Sequence, residues 1–200
     1  MPLRGSAAVV IWTQVEDLAR HDAWHSGEHL RERLSIPGFL RGRRYGALEA
    51  GSPEVRFIFY ELRDIAVATS PAYLERLNNP TPWSKELMQV SRLRRALCRV
   101  VESHGEGVGG FALVARAAAS RLPKGPAITG AHLLRRDESI ARPQTNEEKM
   151  RRGGADATAD TVVIVEGFDL QAMREAVRAQ PWAGEAREYA LSHVLAREDA

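Results

Sequence analysis

The chain has 200 residues, of which 44% are hydrophobic and 27% charged, a balance that suits one compact domain or two small ones. The formal net charge is only +2 and no long run of Lys or Arg is present, which argues against nucleic acid as a partner. Cys98 is the only cysteine, so an intramolecular disulfide and Cys-rich zinc sites are excluded. No stretch reaches the roughly 18 uninterrupted apolar residues of a membrane span, and the N-terminal residues are typical of a first strand, not a signal peptide. We therefore expect no membrane partner and a cytoplasmic location.

The first half of the chain alternates strand-like and helix-like segments. The predicted strands are short runs rich in β-branched and aromatic residues, over Ala7–Val15, Phe39–Leu48, Arg56–Leu62 and Arg95–Ser103. The first helix follows the first strand and ends near Leu34, before Pro37 and Gly38. A second helix begins at Ser70-Pro71, with another helical turn or two over Trp83–Val90. The order predicts a ferredoxin-like βαββαβ unit over residues 1–104.

A Gly-rich linker over residues 105–110 precedes a second, weaker version of the same pattern over residues 111–200. Its predicted strands are Phe111–Arg116, His132–Arg135, Thr161–Glu166 and Tyr189–Ala196. A helix is predicted from Asp169 to about Gln180, but Pro and Gly between Arg116 and His132 leave no room for a first helix. Residues 138–159 are predicted to be a mobile, charged loop. The predicted fold class is α+β, with two tandem ferredoxin-like units, the second lacking its first helix, packed as a dimeric-α/β-barrel type of arrangement.

Several short motifs in the first half carry a family resemblance. They are Trp24-His25, Glu28-His29, Glu32-Arg33, Ile36-Pro37-Gly38-Phe39, Arg41-Gly42-Arg43-Arg44-Tyr45, Ser70-Pro71-Ala72-Tyr73-Leu74 and Asn78-Asn79-Pro80-Thr81-Pro82-Trp83. Together they resemble the EthD-like branch of the dimeric α/β-barrel superfamily, and in particular its uncharacterised bacterial members, over residues 7–103. The resemblance implies the fold and a small-molecule ligand. It leaves the activity open, because the superfamily includes polyketide cyclases, monooxygenases, isomerases, dehydratases, haem enzymes and proteins of no known activity.

Half of the histidines lie in the first predicted helix, as His21, His25 and His29. On an α-helical wheel they share a broad face with Glu28 and Glu32, and an apolar stripe lies roughly opposite, made of Ala19, Ala23, Leu30 and Leu34. The first interpretation is a solvated face with His–Glu pairs. The second is a metal site, because His25-Ser26-Gly27-Glu28-His29 matches H-x-x-E-H. The third, favoured by the resemblance, is acid–base work on a small organic substrate. The wheel opposes the third interpretation, since an apolar stripe on the sheet turns the histidines away from any pocket beneath the helix.

We predict His25 and His29 as the proton-transfer residues and Glu28 as the group that orients one of them. Arg44, Tyr45, Tyr60 and Trp83 are the predicted substrate-binding residues, the first two as stabilisers of an oxyanion. Structural roles compete for each of them, in strand-edge charge, core packing or anchoring of the Pro-rich loop.

The predicted function is a cofactor-independent acid–base enzyme, of cyclase, dehydratase or isomerase type, acting on a small hydrophobic or aromatic carbonyl compound. The alternative is a non-catalytic small-ligand-binding or stress-related protein, and a metal-binding protein comes third. No cofactor and no metal are expected. A homodimer stays open, because an internal barrel removes the usual need to dimerise without forbidding it.

Overall fold

The computed structural model describes residues 3–140, 144–150 and 160–200. The strands within these ranges are β1 (Ala7–Gln14), β2 (Phe39–Ala47), β3 (Arg56–Leu62), β4 (Arg92–Gly105), β5 (Phe111–Ala115), β6 (Ile128–Arg136), β7 (Thr161–Gly167) and β8 (Arg187–Ala196). The α-helices are α1 (Leu18–Trp24), α2 (Leu30–Ser35), α3 (Pro71–Asn78), α4 (Pro82–Val90), α5 (Asn146–Met150) and α6 (Leu170–Val177). Every predicted strand is present, although β6 begins earlier than predicted.

The eight strands form one closed, antiparallel barrel in the order β1-β3-β2-β8-β5-β7-β6-β4. Within the first half the strands lie as β4-β1-β3-β2, and the second half repeats this order as β8-β5-β7-β6. The halves join through β2 with β8 and β4 with β6. Closure leaves no unpaired strand edge, which is the feature that otherwise promotes association between sheets.

Strand alternation divides the core into an inner and an outer set. Trp12, Phe57 and Phe59 point into the barrel, where they meet Tyr189 and Ile164 from the second half. The residues between them on the same strands face outward. On the first half these outward residues pack under the helices as a second core, with Leu30, Leu34, Tyr73 and Leu77.

Charged side chains also lie inside the barrel. Arg43 donates hydrogen bonds to Glu61 and to Glu166, and Tyr45 donates one to Glu166. His132 Nε2 lies 3.0 Å from Glu166 Oε2. Burial alone would raise the pKa of Glu166, but Arg43 and His132 hold it well below its usual value. The cluster links strands of both halves by paired charges, as burial requires.

Three local features differ from the sequence-based prediction. The first helix is interrupted by a π-helical segment, His25–His29, between α1 and α2. The second concerns the predicted loop 138–159, whose described part contains α5; its residues 141–143 and 151–159 lie outside the described residues. The third is the linker, where Gly105 ends β4 with a φ of +107° and Gly107 has +94°, values that favour glycine.

Candidate functional site

A buried cavity of about 50 Å³ lies between the outer face of the first half of the barrel and the helices that cover it. The floor is formed by outward residues of β1 to β4, and the roof by α1 to α5 together with the π-helical segment. Its lining includes the polar and aromatic residues His21, Trp24, His25, His29, Arg33, Tyr60, Tyr73, Arg95, Glu147, Thr13 and Ser91. An apolar cavity with a few convergent polar groups is the usual form of a ligand site.

The three helix histidines face this cavity. His21, His25 and His29 are 2%, 0% and 7% exposed, whereas Ala19 and Ala23 lie on the exposed face. The helical wheel therefore placed the histidines on the wrong side. Its assumption of regular α-helix fails at the π-helical segment, where each residue advances less around the axis and residues four apart stay nearly in line. The solvated-face interpretation is excluded by the burial of all three rings.

His25 and Tyr60 form a hydrogen-bonded pair in the cavity wall. His25 Nε2 lies 3.0 Å from Tyr60 Oη, and no partner for His25 Nδ1 is found among the described residues. Burial lowers the pKa of His25 well below 6.5, and His21, Arg44 and His193 lower it further. Burial raises the pKa of Tyr60. Both side chains are therefore neutral at physiological pH, an unprotonated imidazole beside a protonated phenol.

A second polar group is centred on Arg33. Both oxygens of Glu147 lie near Arg33 Nη2, at 2.5 and 2.7 Å, and Arg33 Nε donates to His29 Nε2 at 3.3 Å. Burial alone would lower the pKa of Arg33, but Glu147 raises it. His29 accepts at Nε2, so its proton lies on Nδ1, which is 3.9 Å from Glu32 Oε2. Beside this group Arg95 Nη2 donates to Tyr73 Oη at 3.0 Å.

The other predicted site residues lie outside the cavity. Glu28 accepts a hydrogen bond from Thr81 Oγ1 at 2.5 Å, away from the histidines. Arg44 donates to Ser26 and Ser192 behind the helix, at 2.9 and 3.1 Å. Tyr45 points into the barrel, and the half-buried Trp83 on α4 does not line the cavity. The structure thus brings together His25, His29 and Tyr60 and separates them from these four.

The H-x-x-E-H pattern does not form one site, because Glu28 leaves the face that His25 and His29 share. Within the described ranges no group of three His, Cys, Asp or Glu residues is placed to hold a metal ion. Haem, which the family resemblance includes, does not fit this cavity. Its volume of about 50 Å³ is well below the roughly 300–1,000 Å³ of ordinary ligand pockets.

Six polar residues that line the cavity were not predicted from the sequence, namely Thr13, Arg33, Tyr73, Ser91, Arg95 and Glu147. Arg33 follows His29 by four residues and could have been found from helical spacing. Glu147 is 114 residues from Arg33, and no local pattern links the two.

Comparison with solved structures shows the fold. The chain is similar over 96% of its length to an anthrone oxidase-like protein, with 92% of that chain covered, 10% identity and a TM-score of 0.58. An inferred monooxygenase from Fusobacterium nucleatum subsp. nucleatum matches over 97% of this chain and 96% of its own, at 7% identity and a TM-score of 0.56. A chlorite dismutase from Candidatus Nitrospira defluvii, solved with cyanide, matches over 94% and 91%, at 10% identity and a TM-score of 0.53. At identities of 7–10% this likeness shows the fold alone, and it extends over nearly the whole chain.

No protein-family model matches the sequence, and no curated protein matches it. No helix in the described part of the chain is long and apolar enough to cross a membrane. The comparisons therefore establish the architecture alone.

Proposed function

We propose that this protein is a small-molecule enzyme that performs cofactor-independent acid–base chemistry on a small hydrophobic or aromatic carbonyl compound. The observation that carries the proposal is the buried His25–Tyr60 pair, a neutral base hydrogen-bonded to a protonated phenol in the wall of the cavity. A base and a hydrogen-bond donor side by side are what enolisation of a carbonyl compound needs.

One histidine tautomer supplies both groups. With the proton on Nε2, His25 donates to Tyr60 Oη, which leaves the Nδ1 lone pair unshared and the Tyr60 hydroxyl hydrogen available. His25 Nδ1 takes the proton from the carbon beside the carbonyl. The C–H electron pair becomes the C=C bond, the carbonyl π pair moves to oxygen, and Tyr60 donates a hydrogen bond to the resulting enolate.

The fate of the enolate defines the reaction type. Return of the proton to another carbon gives isomerisation, and loss of a β-hydroxyl as water gives dehydration. Attack of the enolate carbon on a second carbonyl of the same molecule gives cyclisation. In each case His25 returns its proton, to carbon or to the leaving or newly formed oxygen, so no external oxidant or reductant is consumed.

His29 and Arg33 follow His25 along the helix at intervals of four residues and extend the polar wall of the cavity. The Arg33 guanidinium, buried and 3.3 Å from His29 Nε2, adds a hydrogen-bond donor to the cavity wall, and the paired Glu147 balances its charge. Trp24, whose ring lies 4.3 Å from that of His29, supplies an apolar wall. Glu28, Arg44, Tyr45 and Trp83 have no part in this proposal.

At the level of the fold we propose the finer assignment predicted from the sequence. Residues 1–104 form an EthD-like ferredoxin-like unit, 105–110 a linker and 111–200 a degenerate second unit. The repeated strand order of the two halves supports this division. Association into a homodimer stays a proposal to be tested by mass measurement in solution.

The experiment measures the exchange of the α-protons of acetophenone and levulinate for deuterium in D₂O. The readout is the loss of the α-proton signal in the proton NMR spectrum. The wild-type protein is expected to accelerate exchange over buffer. His25→Gln should lower the accelerated rate by about 10²–10⁴-fold and Tyr60→Phe by about 10²–10³-fold. His104→Gln, a histidine outside the cavity, is the matched control and should leave the rate unchanged.

A non-catalytic binding protein is the second candidate, favoured by the small volume of the cavity. The same assay separates the two. If wild type binds the probes but exchanges them no faster than buffer does, the binding function replaces the catalytic one.

A further inference from the structure

The Arg33–Glu147 pair leaves part of the guanidinium unused. Both Glu147 oxygens approach the same nitrogen, Nη2. Arg33 Nη1 is buried and has no hydrogen-bond partner among the described residues. An arginine normally binds a carboxylate through two parallel hydrogen bonds from different nitrogens. Glu147 therefore pairs with the Arg33 guanidinium but leaves the Nη1 donors of Arg33 unused.

The carboxylate of Glu147 also comes from outside the layers that build the cavity. It lies on α5, in the connection between β6 and β7, whereas the floor and the rest of the roof belong to the first half. Asn146 holds α5 to the end of α3, with its side chain donating to Asn78 O at 2.8 Å and its backbone N–H donating to Asn78 Oδ1 at 3.2 Å. The Glu147 side chain is nevertheless only 2% exposed.

The volume of the cavity requires something to move when a ligand of useful size enters. About 50 Å³ is a third of the roughly 150 Å³ of a protein cavity that binds benzene. Two further buried hydroxyls in the lining, Thr13 Oγ1 and Ser91 Oγ, have no partner within the described ranges. Polar atoms of this kind are expected to meet a ligand or ordered water.

We propose that Arg33 is a carboxylate-binding subsite, that Glu147 occupies it in the absence of ligand, and that the substrate is a small carboxylate with an apolar or aromatic body. A ligand carboxylate replaces one negative charge by another, so Arg33 stays paired. The ligand carboxylate gains a second hydrogen bond, because it engages Nη1 and Nη2 of Arg33 together. Withdrawal of the Glu147 side chain enlarges the cavity for the apolar body of the ligand. This inference rests on the cavity being the ligand site of the proposed function.

The test is calorimetric titration with benzoate, and with benzamide as its neutral counterpart. Glu147→Gln removes the competing charge, so benzoate should bind at least tenfold tighter than to wild type while benzamide changes less than twofold. Glu148→Gln, the same chemical change one residue along, is the control and should behave as wild type. Arg33→Met combined with Glu147→Gln should lose the preference for benzoate.

Asn146→Ala covers the case in which Glu147→Gln does not fold. This exposed side chain anchors α5 without lining the cavity, and its loss should tighten benzoate binding at least threefold. The inference is overturned if benzoate binds neither variant more tightly than wild type, or if benzamide gains as much as benzoate. Loss of proton exchange with the benzoate effect intact removes the catalytic proposal alone, and the reverse result removes the carboxylate subsite alone.

Discussion

At the scale of single residues, His25 shows how burial decides chemistry. Its ring is fully buried among His21, Tyr60, Arg44, His193 and Asp22. Burial makes an imidazolium costly because it is removed from water, and the positive charge of Arg44 opposes protonation further. The outcome is a base that stays neutral in mildly acidic solution.

This depressed pKa predicts a pH dependence of stability. Above 6.5 both the folded and unfolded forms of His25 are neutral, and the shift contributes nothing. Below 6.5 the unfolded chain binds a proton that the folded chain resists, so stability falls as the pH falls, by up to about 1.4 kcal/mol per pH unit. His25→Gln should remove this part of the slope in denaturant titrations between about pH 7 and pH 5. Identical slopes in wild type and variant would contradict it.

The charged cluster inside the barrel makes a second residue-scale prediction. Glu166→Gln leaves Arg43 with one buried partner fewer, so we expect a loss of about 3–5 kcal/mol in the free energy of unfolding. Glu175→Gln on the exposed face of α6 applies the same chemical change with an expected loss below about 0.5 kcal/mol. Chemical denaturation of both variants is the measurement, and equal losses would show that the cluster is not a stabilising element.

At the scale of elements, the helical stretch from α1 through the π-helical segment to α2, here called the histidine helix, packs on β2. Two glycines, Gly27 and Gly42, differ in the space that their surroundings leave for a side chain. A Cβ on Gly27 would meet nothing closer than a Trp83 ring carbon at 4.0 Å. A Cβ on Gly42 would lie 2.3 Å from Leu30 Cδ1 and 3.0 Å from the Tyr60 ring. The first position faces open space and the second is the contact between helix and strand.

We therefore expect Gly27→Ala to raise the free energy of unfolding by about 0.5–1 kcal/mol, because alanine restricts the unfolded chain and favours helix. Gly42→Ala should lower it by about 1–3 kcal/mol through overpacking against Leu30 and Tyr60. Thermal unfolding of the two variants gives a signed comparison. A stabilising Gly42→Ala would mean that helix and strand pack less closely than described.

The elements were also the part of the structure that local sequence pattern could predict. Strands such as Arg56–Leu62 and the helix cap at Ser70 can be recognised in short windows of sequence. The prediction of which face of the histidine helix is buried was wrong, because a helical wheel assumes one helical period. Nothing in the sequence His25–His29 indicates a π turn. Burial of the histidine rings depends on the strands on which the helix packs, such as β3 with Tyr60.

At the scale of the whole molecule, the two halves share one core. Trp12 and Phe57 of the first half pack inside the barrel with Tyr189 and Ile164 of the second. We predict a single cooperative unfolding transition, with tryptophan fluorescence and far-ultraviolet circular dichroism changing together. Two separated transitions would show that the halves fold independently.

The global arrangement explains what the sequence could not give. The repeated strand order favoured packing of the halves against each other, but the joining pairs β2–β8 and β4–β6 depend on contacts far apart in the chain. The position of Glu147 in the cavity also depends on a contact between residues far apart in the chain, because α5 belongs to the connection between β6 and β7 in the second half. Tyr60 was predicted because its strand was predicted, whereas no local pattern distinguishes Arg95 from the many other arginines of the chain.

The most direct test of the central claim is the pH dependence of the part of α-proton exchange that His25→Gln abolishes. A neutral, buried base predicts a rate that is flat through neutral pH and declines only well below 6.5, where His25 takes up a proton. A midpoint at or above 6.5, or an exchange rate that His25→Gln leaves unchanged, would contradict His25 as the catalytic base of this cavity.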